Sequence, residues 1–405
     1  MYIGLDAHKR FIQVAKIKHV KAPVEGSCAI KSSVEEITAF AKKLKKKDKV
    51  VLENNTNVYP IASILSKYCP NVVISNPMKT KMIADSDIKT DKKDAETLAR
   101  LLASDYLYTV WQPSEQIISY RKIVAYYFSM MDLRIAVKNM IHSILHRNLI
   151  EYSHISELFN SVGRKYLSKV SLPEDEQFQL DMNLQVFDYI DEKIKIIKKR
   201  IAKIVIEDEE SKRLMTLPGF NIISSLLIKA AVGDITRFPT PKKLVSYFGL
   251  NPGIRQSADK SFSKHITKKG SPNARWMLIQ ISQIAVRGPG PFREYYKRIK
   301  RRGHCNKAKV AVAQKIVKVI WHMLTKKEDY RHALPIRTQD KLSQLRIIAT
   351  GVRLRSNRYK FVKMYGNKEK RLDALKHDHD IAIKAEQEYK KFIEERYESI
   401  SAKKA

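Results

Sequence analysis

The order of short apolar runs over the first 105 residues constrains the fold more than any other feature of the chain. YIGLDA (2–7), FIQVAKIKHV (11–20) and a weaker SCAIKSS (27–33) follow one another with no helical period between them. Next come a helix-like run, VEEITAFAKKLKKK, a strand-like KVVLE, a helical PIASILSKYC, a strand-like NVVISN and a helical DAETLARLLASD. Period-two and continuous apolar runs of five or so residues read as strands, and the three- and four-spaced runs read as helices.

Three strands followed by alternating helix and strand is the order of an RNase H-like α/β domain, in which the first and fourth strands are neighbours. A different α/β fold with a miscounted strand is the alternative. Residues 115–210 read as helical almost throughout. Leu184, Phe187, Ile190, Ile194, Ile197, Ile201 and Ile204 form a heptad-like seam at spacings of three and four. The seam suits a coiled coil pairing protomers or, equally, a helix packed within its own domain. An earlier run with Val124, Phe128, Met131 and Ile135 is its expected antiparallel partner. From residue 211 a second, mostly helical unit begins, and 331–405 read as a basic, partly helical arm. The expected regions are thus 1–110, 111–210, 211–330 and 331–405.

Charge is distributed unevenly. The whole chain of 405 residues carries 77 Lys+Arg against 42 Asp+Glu, a formal +35. Residues 111–210 hold 14 basic and 15 acidic side chains, whereas residues 211–330 hold 25 and 5. Such a concentration points to a polyanionic partner, nucleic acid before membrane. Three scattered cysteines, with no CxxC pairing, imply neither a disulfide framework nor a thiolate zinc site. No leader and no apolar run of transmembrane length is evident, so a cytoplasmic, nucleoid-associated protein with no membrane partner is expected.

Against this basic background, IKTDKKDAETLARLL (88–102) sets Asp91 and Asp94 three apart at a helix start, among Lys89, Lys92 and Lys93. An exposed helix start is the bland explanation, since acids suit the positive end of the helix dipole. Two further acids close apolar strands: Asp6 ends YIGLD and Glu53 ends KVVLE. On neighbouring strands these would lie side by side, with the Asp91/Asp94 helix able to pack across them. Carboxylates that close repel one another, and divalent cations relieve the conflict. Mg²⁺ prefers hard oxygen ligands, and a pair of ions about 4 Å apart serves phosphoryl transfer.

YIGLDAHK, VVLENN and KTDKKDAETLA resemble the motifs of the Piv-like DEDD transposases and DNA invertases of bacterial insertion sequences. LMTLPGF, GDITRF, LVSYFGLNPGIRQS and ITKKGSPNARWML resemble that family's second domain, so the likeness covers about 300 residues in order. The resemblance implies a DNA transposase or site-specific recombinase. Its metal ligands and catalytic acids would be Asp6, Glu53, Asp91 and Asp94, holding Mg²⁺ or Mn²⁺ in its place. It further implies a serine nucleophile at Ser257, delivered to the carboxylates from a second protomer of a homodimer that assembles to a tetramer. A structured bridge RNA would serve as guide to donor and target DNA. The family places glycine after the serine; Ala258 stands here, and Ser261 and Ser263 are nearby. Expected phosphate contacts are Arg255, Lys260, Lys264, Lys268, Lys269 and Arg275. Gly219, in an LPGF turn of helix-hairpin-helix type, would let backbone N–H groups approach a phosphate.

The main alternative is a RuvC-like structure-specific nuclease or junction resolvase with no covalent intermediate; a non-catalytic nucleic-acid-binding remnant is the other. His142 and His146 in HSILH lack a nearby glutamate and read as ordinary core or surface residues. The two histidines of HDH at 377–379 cannot share a helical face. Trp111, Trp276 and Trp321 read as core. YIGLD also opens actin-like sugar kinases, but AHKR lacks their phosphate-cradling continuation.

Overall fold

The computed structural model describes residues 1–83, 90–257, 260–352 and 368–402. It divides into two compact units, Met1–Ser114 and Glu115–Ala405. The first is a mixed α/β unit and the second is mostly helical.

The first unit is built on a six-stranded sheet of order β3-β2-β1-β4-β5-β6. β1 (Tyr2–Ala7), β2 (Phe11–Ile17) and β3 (Gly26–Lys31) form an antiparallel meander. β4 (Lys49–Glu53) runs parallel to β1, and β5 (Val72–Ser75) runs parallel to β4. The adjacency of first and fourth strands is therefore as expected. β6 (Thr109–Val110) adds an antiparallel edge to β5; two residues are too few to show a period, so the sequence reading missed it.

Alternation along β1 sorts the two faces of the sheet. Ile3, Leu5 and Ala7 join a core with Ile37 and Phe40 of α1 (Val34–Lys42) and Val58, Ile61 and Leu65 of α2 (Val58–Ser66). α1 stops short of the lysine run expected to extend it, because Asp48 gathers the chain there. Its carboxylate accepts from the Lys45 N–H at 2.8 Å and from the Met1 ammonium at 3.1 Å. α3 (Pro77–Ile83) leads towards α4 (Asp91–Ala103), which buries Ala95, Leu98 and Ala99 on the sheet's other face.

In the second unit α5 (Glu115–Arg147) and α7 (Glu174–Glu207) form an antiparallel hairpin, with the short α6 (Ser161–Leu167) between them. Arg147 forks onto Glu176 and Arg134 bonds Asp191, which fixes the direction. The seam residues Phe187, Ile190, Ile194, Ile197 and Ile201 are buried within the chain, and Leu184 and Ile204 are half-buried. Of the two expectations for the seam, packing within its own chain is the one seen. On α5 the buried stripe uses Tyr127 and Val137 beside Val124, whereas Ile135 is 50% exposed. The expected stripe was rotated because Arg134 sits on the inner side, its guanidinium 4.8 Å from the centre of the Phe187 ring.

α8 (Glu209–Leu214) leads into α9 (Ile222–Val232), apolar on nearly every side and correspondingly buried. A 3₁₀ turn (Ile235–Arg237), α10 (Pro241–Tyr247) and the hairpin β7 (Pro252–Ser257) and β8 (Lys260–Ile266) follow. α11 (Pro272–Ala285), α12 (Pro291–Lys300), α13 (Cys305–Lys326), α14 (Pro335–Thr350) and α15 (Lys368–Ala402) complete the unit. The C-terminal helix is docked through two carboxylates. Buried Asp378 accepts the Ile336 and Arg337 N–H groups, capping α14, and Glu386 accepts from Arg293, Lys297 and the Gly290 N–H. Among the described residues no helix is long and apolar enough to cross a membrane.

Candidate metal centre and serine hairpin

Gly4 governs the geometry of the acidic site. A Cβ at this position would lie 2.0 Å from the Ala95 carbonyl oxygen and 2.7 Å from the Ala99 nitrogen. Only a glycine lets α4 lie directly on β1. Two residues on, the same face of the strand presents Asp6, and beyond the strand's end stands His8. The first turn of α4 brings Asp91 and Asp94 over them. That turn starts where Thr90 caps it, its hydroxyl accepting from the Lys93 N–H at 3.3 Å.

His8 Nε2 lies 2.9 Å from Asp6 Oδ2 and 3.3 Å from Asp91 Oδ1, bridging the two carboxylates. One ligand atom from each of the three falls within 4.8 Å of the others. Burial pushes the Asp6 carboxyl above its ordinary value; the neighbouring His8 opposes that shift, and the charges of Asp94 and Asp91 add to it. Asp94 is thus electrostatically part of the cluster. Glu53 ends β4 one residue beyond Leu52, which pairs with Leu5, so it follows that pair on the strand next to Asp6. It is half-buried, with its backbone opposite Ser75 of β5.

The end of β1 is held by groups the sequence reading did not assign. Asn55 Nδ2 donates to the Ala7 carbonyl at 2.6 Å, and Asn57 Nδ2 and Ser32 Oγ donate to the His8 carbonyl at 3.3 and 2.9 Å. Asn55 closes the quoted VVLENN motif and Asn57 follows two residues later, so the polar stretch after Glu53 fixes the backbone that carries His8. His8 itself was detectable, since positions two apart along an extended strand share a face.

In the second unit, Ser257 is the last residue of β7 and pairs with Lys260 across the hairpin; Ser261 pairs with Gln256 and Ser263 with Ile254. Ala258 lies outside the described residues, as do Lys89 in the first unit and the side chains of Ser257, Ser261, Ser263, Arg255, Lys260 and Lys264. The foot of the hairpin is clamped by two glycine-bearing motifs. Thr267 N–H donates to the Asn251 carbonyl at 2.9 Å and Lys268 N–H to the Gly249 carbonyl at 3.1 Å. Gly249 (φ +65°) has the Lys269 oxygen 2.3 Å from where a Cβ would stand, and Gly270 (φ +76°) has the Tyr247 oxygen at 2.2 Å. Gly249→Ala should therefore destabilise the second unit by about 2–4 kcal/mol. A lower melting temperature with faster amide exchange across β7 and β8 is the expected readout, and unchanged exchange there would contradict the clamp.

Lys268 and Lys269 are exposed, whereas Arg275 reaches back, its Nη1 donating to the Lys269 carbonyl at 3.0 Å. The Gly219 turn (φ +81°) packs on α11, where a Cβ would stand 3.0 Å from the Ile281 oxygen. His142 bonds the Tyr152 hydroxyl at 2.8 Å. Trp321 is half-buried and donates to the Phe238 carbonyl. Trp276 corrects the reading of all three tryptophans as core: it is 52% exposed on α11, its ring meeting Phe128 edge-on.

Residues 3–149 match a family model for DEDD transposases, and residues 211–297 match the model described as transposase IS116/IS110/IS902 family. The two matches fall on the halves carrying the acids and the hairpin. The chain belongs to the IS116/IS110/IS902 transposase family. Within that family it is similar to the transposase for insertion sequence element IS1328 of Yersinia enterocolitica. The two are 23% identical over 68% of this chain and 83% of the other. It is 29% identical to the transposase for IS1111A of Coxiella burnetii, over 35% of this chain and 40% of that one. The match to an uncharacterised IS116 protein of Streptomyces clavuligerus is also 29% identical, over 36% and 37% of the two chains. Against the latter two, the alignment spans about two fifths of the relative's length.

Proposed function

We propose that this chain cuts and rejoins DNA strands as the transposase of an insertion sequence, with an RNase H-like first unit holding divalent metal. The observation that carries this reading is the approach of Asp6, His8 and Asp91 within 4.8 Å, in a protein of formal charge +35. Hard carboxylate oxygens on a mutually repelling set, with Asp6 buried and the others half-buried, fit Mg²⁺ or Mn²⁺. Asp6, Asp91, Asp94 and Glu53 would hold the metal, and His8 orients the two carboxylates it bridges. A bound divalent cation supplies charge neutralisation at the attacked phosphodiester.

Ser257 is the proposed nucleophile. Its backbone place at the end of β7, a strand whose foot is clamped at Gly249 and Asn251, supports this role. The hydroxyl oxygen forms the new bond to phosphorus as the leaving strand end departs, leaving DNA on the protein. Ser257→Ala should eliminate the covalent protein–DNA adduct, read as a shifted band on a denaturing gel with end-labelled DNA and Mg²⁺. An adduct persisting in that variant would move the nucleophile to Ser261 or Ser263. Metal-dependent cutting with no adduct in the wild type would favour the nuclease reading instead.

A structured guide RNA fits the charge of residues 211–330, since phosphate contacts hold a strand without reading its sequence. Arg255, Lys260, Lys264, Lys268 and Lys269 are the proposed contacts; Arg275 and Gly219 would act through the loop and turn they shape. A second apolar stripe supports self-association. Phe178, Met182, Val186, Tyr189 and Ile196 on α7 are 44–66% exposed at heptad-like intervals. Tyr189→Glu combined with Phe178→Glu should reduce the assembly to monomer by light scattering; an unchanged mass would place the interface elsewhere.

A further inference from the structure

One row of side chains crosses the first sheet at the end where the acids stand. Asp6 of β1 is opposite Gln13 of β2, and Glu53 of β4 follows the Leu5–Leu52 pair on Asp6's other flank. Glu53 in turn is opposite Ser75 of β5. Alternate residues of a strand share a face. Val50, Leu52, Val72 and Ile74 pack in the core with α1 and α2. Glu53 and Ser75 therefore turn to the opposite side, the one on which α4 lies against Gly4 and on which Asp6 stands. Neighbouring strands are about 4.8 Å apart, so each side chain of the row is within reach of the next. The Asn54 N–H donates to the Ser75 carbonyl at 3.2 Å, fastening the two strand ends beside Glu53. Two buried polar members of the row are bonded: Asp6 to His8, and Gln13 to the Ser27 hydroxyl at 2.9 Å. Ser75 is different. It is 0% exposed, and its Oγ has no hydrogen-bond partner among the described residues.

We propose that Ser75 is a positioning residue of the metal centre: in the loaded site its hydroxyl donates to one oxygen of Glu53 and turns the other towards Asp6. The inference rests on the reading that Asp6, Glu53, Asp91 and Asp94 hold a divalent cation, and it adds the group that aims one of them. A buried hydroxyl without a partner is uncommon in a folded chain. Alanine would fill the same place in the run VVIS with no polar atom to satisfy. A serine there fits a partner that turns to it when the site is filled, and the acid next along the row has the chemistry to be that partner. A carboxylate accepts on both oxygens, so a bond from Ser75 on the outer side leaves the inner oxygen for the metal.

The test titrates the full-length protein with Mn²⁺, following the free ion by electron paramagnetic resonance, and measures the melting temperature in EDTA. Ser75→Ala should weaken Mn²⁺ binding about tenfold, the scale of hydrogen-bonded partners behind metal ligands. Its melting temperature in EDTA should hold or rise, because a buried, unbonded hydroxyl has been removed. A side chain that serves packing alone would move both readouts downward, and that result would overturn the proposal. Unchanged Mn²⁺ affinity in Ser75→Ala would overturn it while leaving the metal site standing. The route through Glu53 is read in Glu53→Gln, which keeps the three aspartates. There the further change Ser75→Ala should cost little affinity, and an undiminished tenfold loss would show that Ser75 acts elsewhere and overturn the assignment. A wild type that binds no Mn²⁺ would remove the metal reading itself, and the proposal with it.

Discussion

Asp6→Asn should abolish strand cutting and joining, yet raise the melting temperature of the metal-free protein at neutral pH. Asp6 is 7% exposed, and burial together with Asp94 and Asp91 holds its carboxyl above the ordinary value of 3.8. For an acid shifted upward, the neutral form is the one the fold favours. Its contribution is present below the unfolded value and lost as pH rises through the folded one. At pH 7 the ionised Asp6 therefore weighs against folding, and an amide of the same shape removes that weight. Added Mg²⁺ reverses the sign for the wild type, because an ion bound only by the folded state stabilises it. The gain is about 2.7 kcal/mol at a hundredfold excess over its dissociation constant. Activity should fall by at least about 100-fold, since even outer-sphere partners of a metal are worth 10–100-fold. Calorimetry with EDTA and with Mg²⁺ gives the stability half, and strand-joining assays give the other. Equal stabilisation of wild type and variant by Mg²⁺ would remove Asp6 from the metal site.

Gly4→Ala has the second large effect, and it works at a distance. The added methyl has no flexible neighbour to displace: it meets the backbone of α4 at Ala95 and Ala99. Either the helix lifts from β1 or the strand bends away. Overpacking of this kind costs roughly 3 kcal/mol or more when backbone must move. Lifting α4 carries Asp91 and Asp94 away from Asp6 and His8, so metal affinity should fall together with stability. Chemical denaturation and Mn²⁺ titration on the same preparation report both. A variant with normal Mn²⁺ affinity would mean that the helix had not been set by that contact.

How much of this was readable in advance differs from element to element. β1 and β4 were legible because each is an apolar run closed by an acid, and α4 because Thr90 caps it just before its apolar period begins. β7 and β8 were not: Pro252, Gly253 and a polar stretch rich in serine and lysine look like loop, and their pairing rests on a clamp formed by residues on both sides. His8 was passed over because the strand ends at Ala7, although the alternation runs one residue further. On α5 the period was right and the phase wrong, since an arginine bonded across the hairpin lies on the inner side. Asp378 went unremarked between two histidines, and no local pattern announces that it caps a helix starting more than forty residues earlier.

That last contact bears on how the second unit comes into being. α15 is made after α12 and α14, and its carboxylates quiet charges and backbone donors laid down long before. Until it arrives, α14 begins with bare amides and α12 carries Arg293 and Lys297 without their acid. A ribosome stalled before this stretch, or a decayed gene copy truncated ahead of it, would release a body left ajar at that seam, a substrate for quality-control proteases.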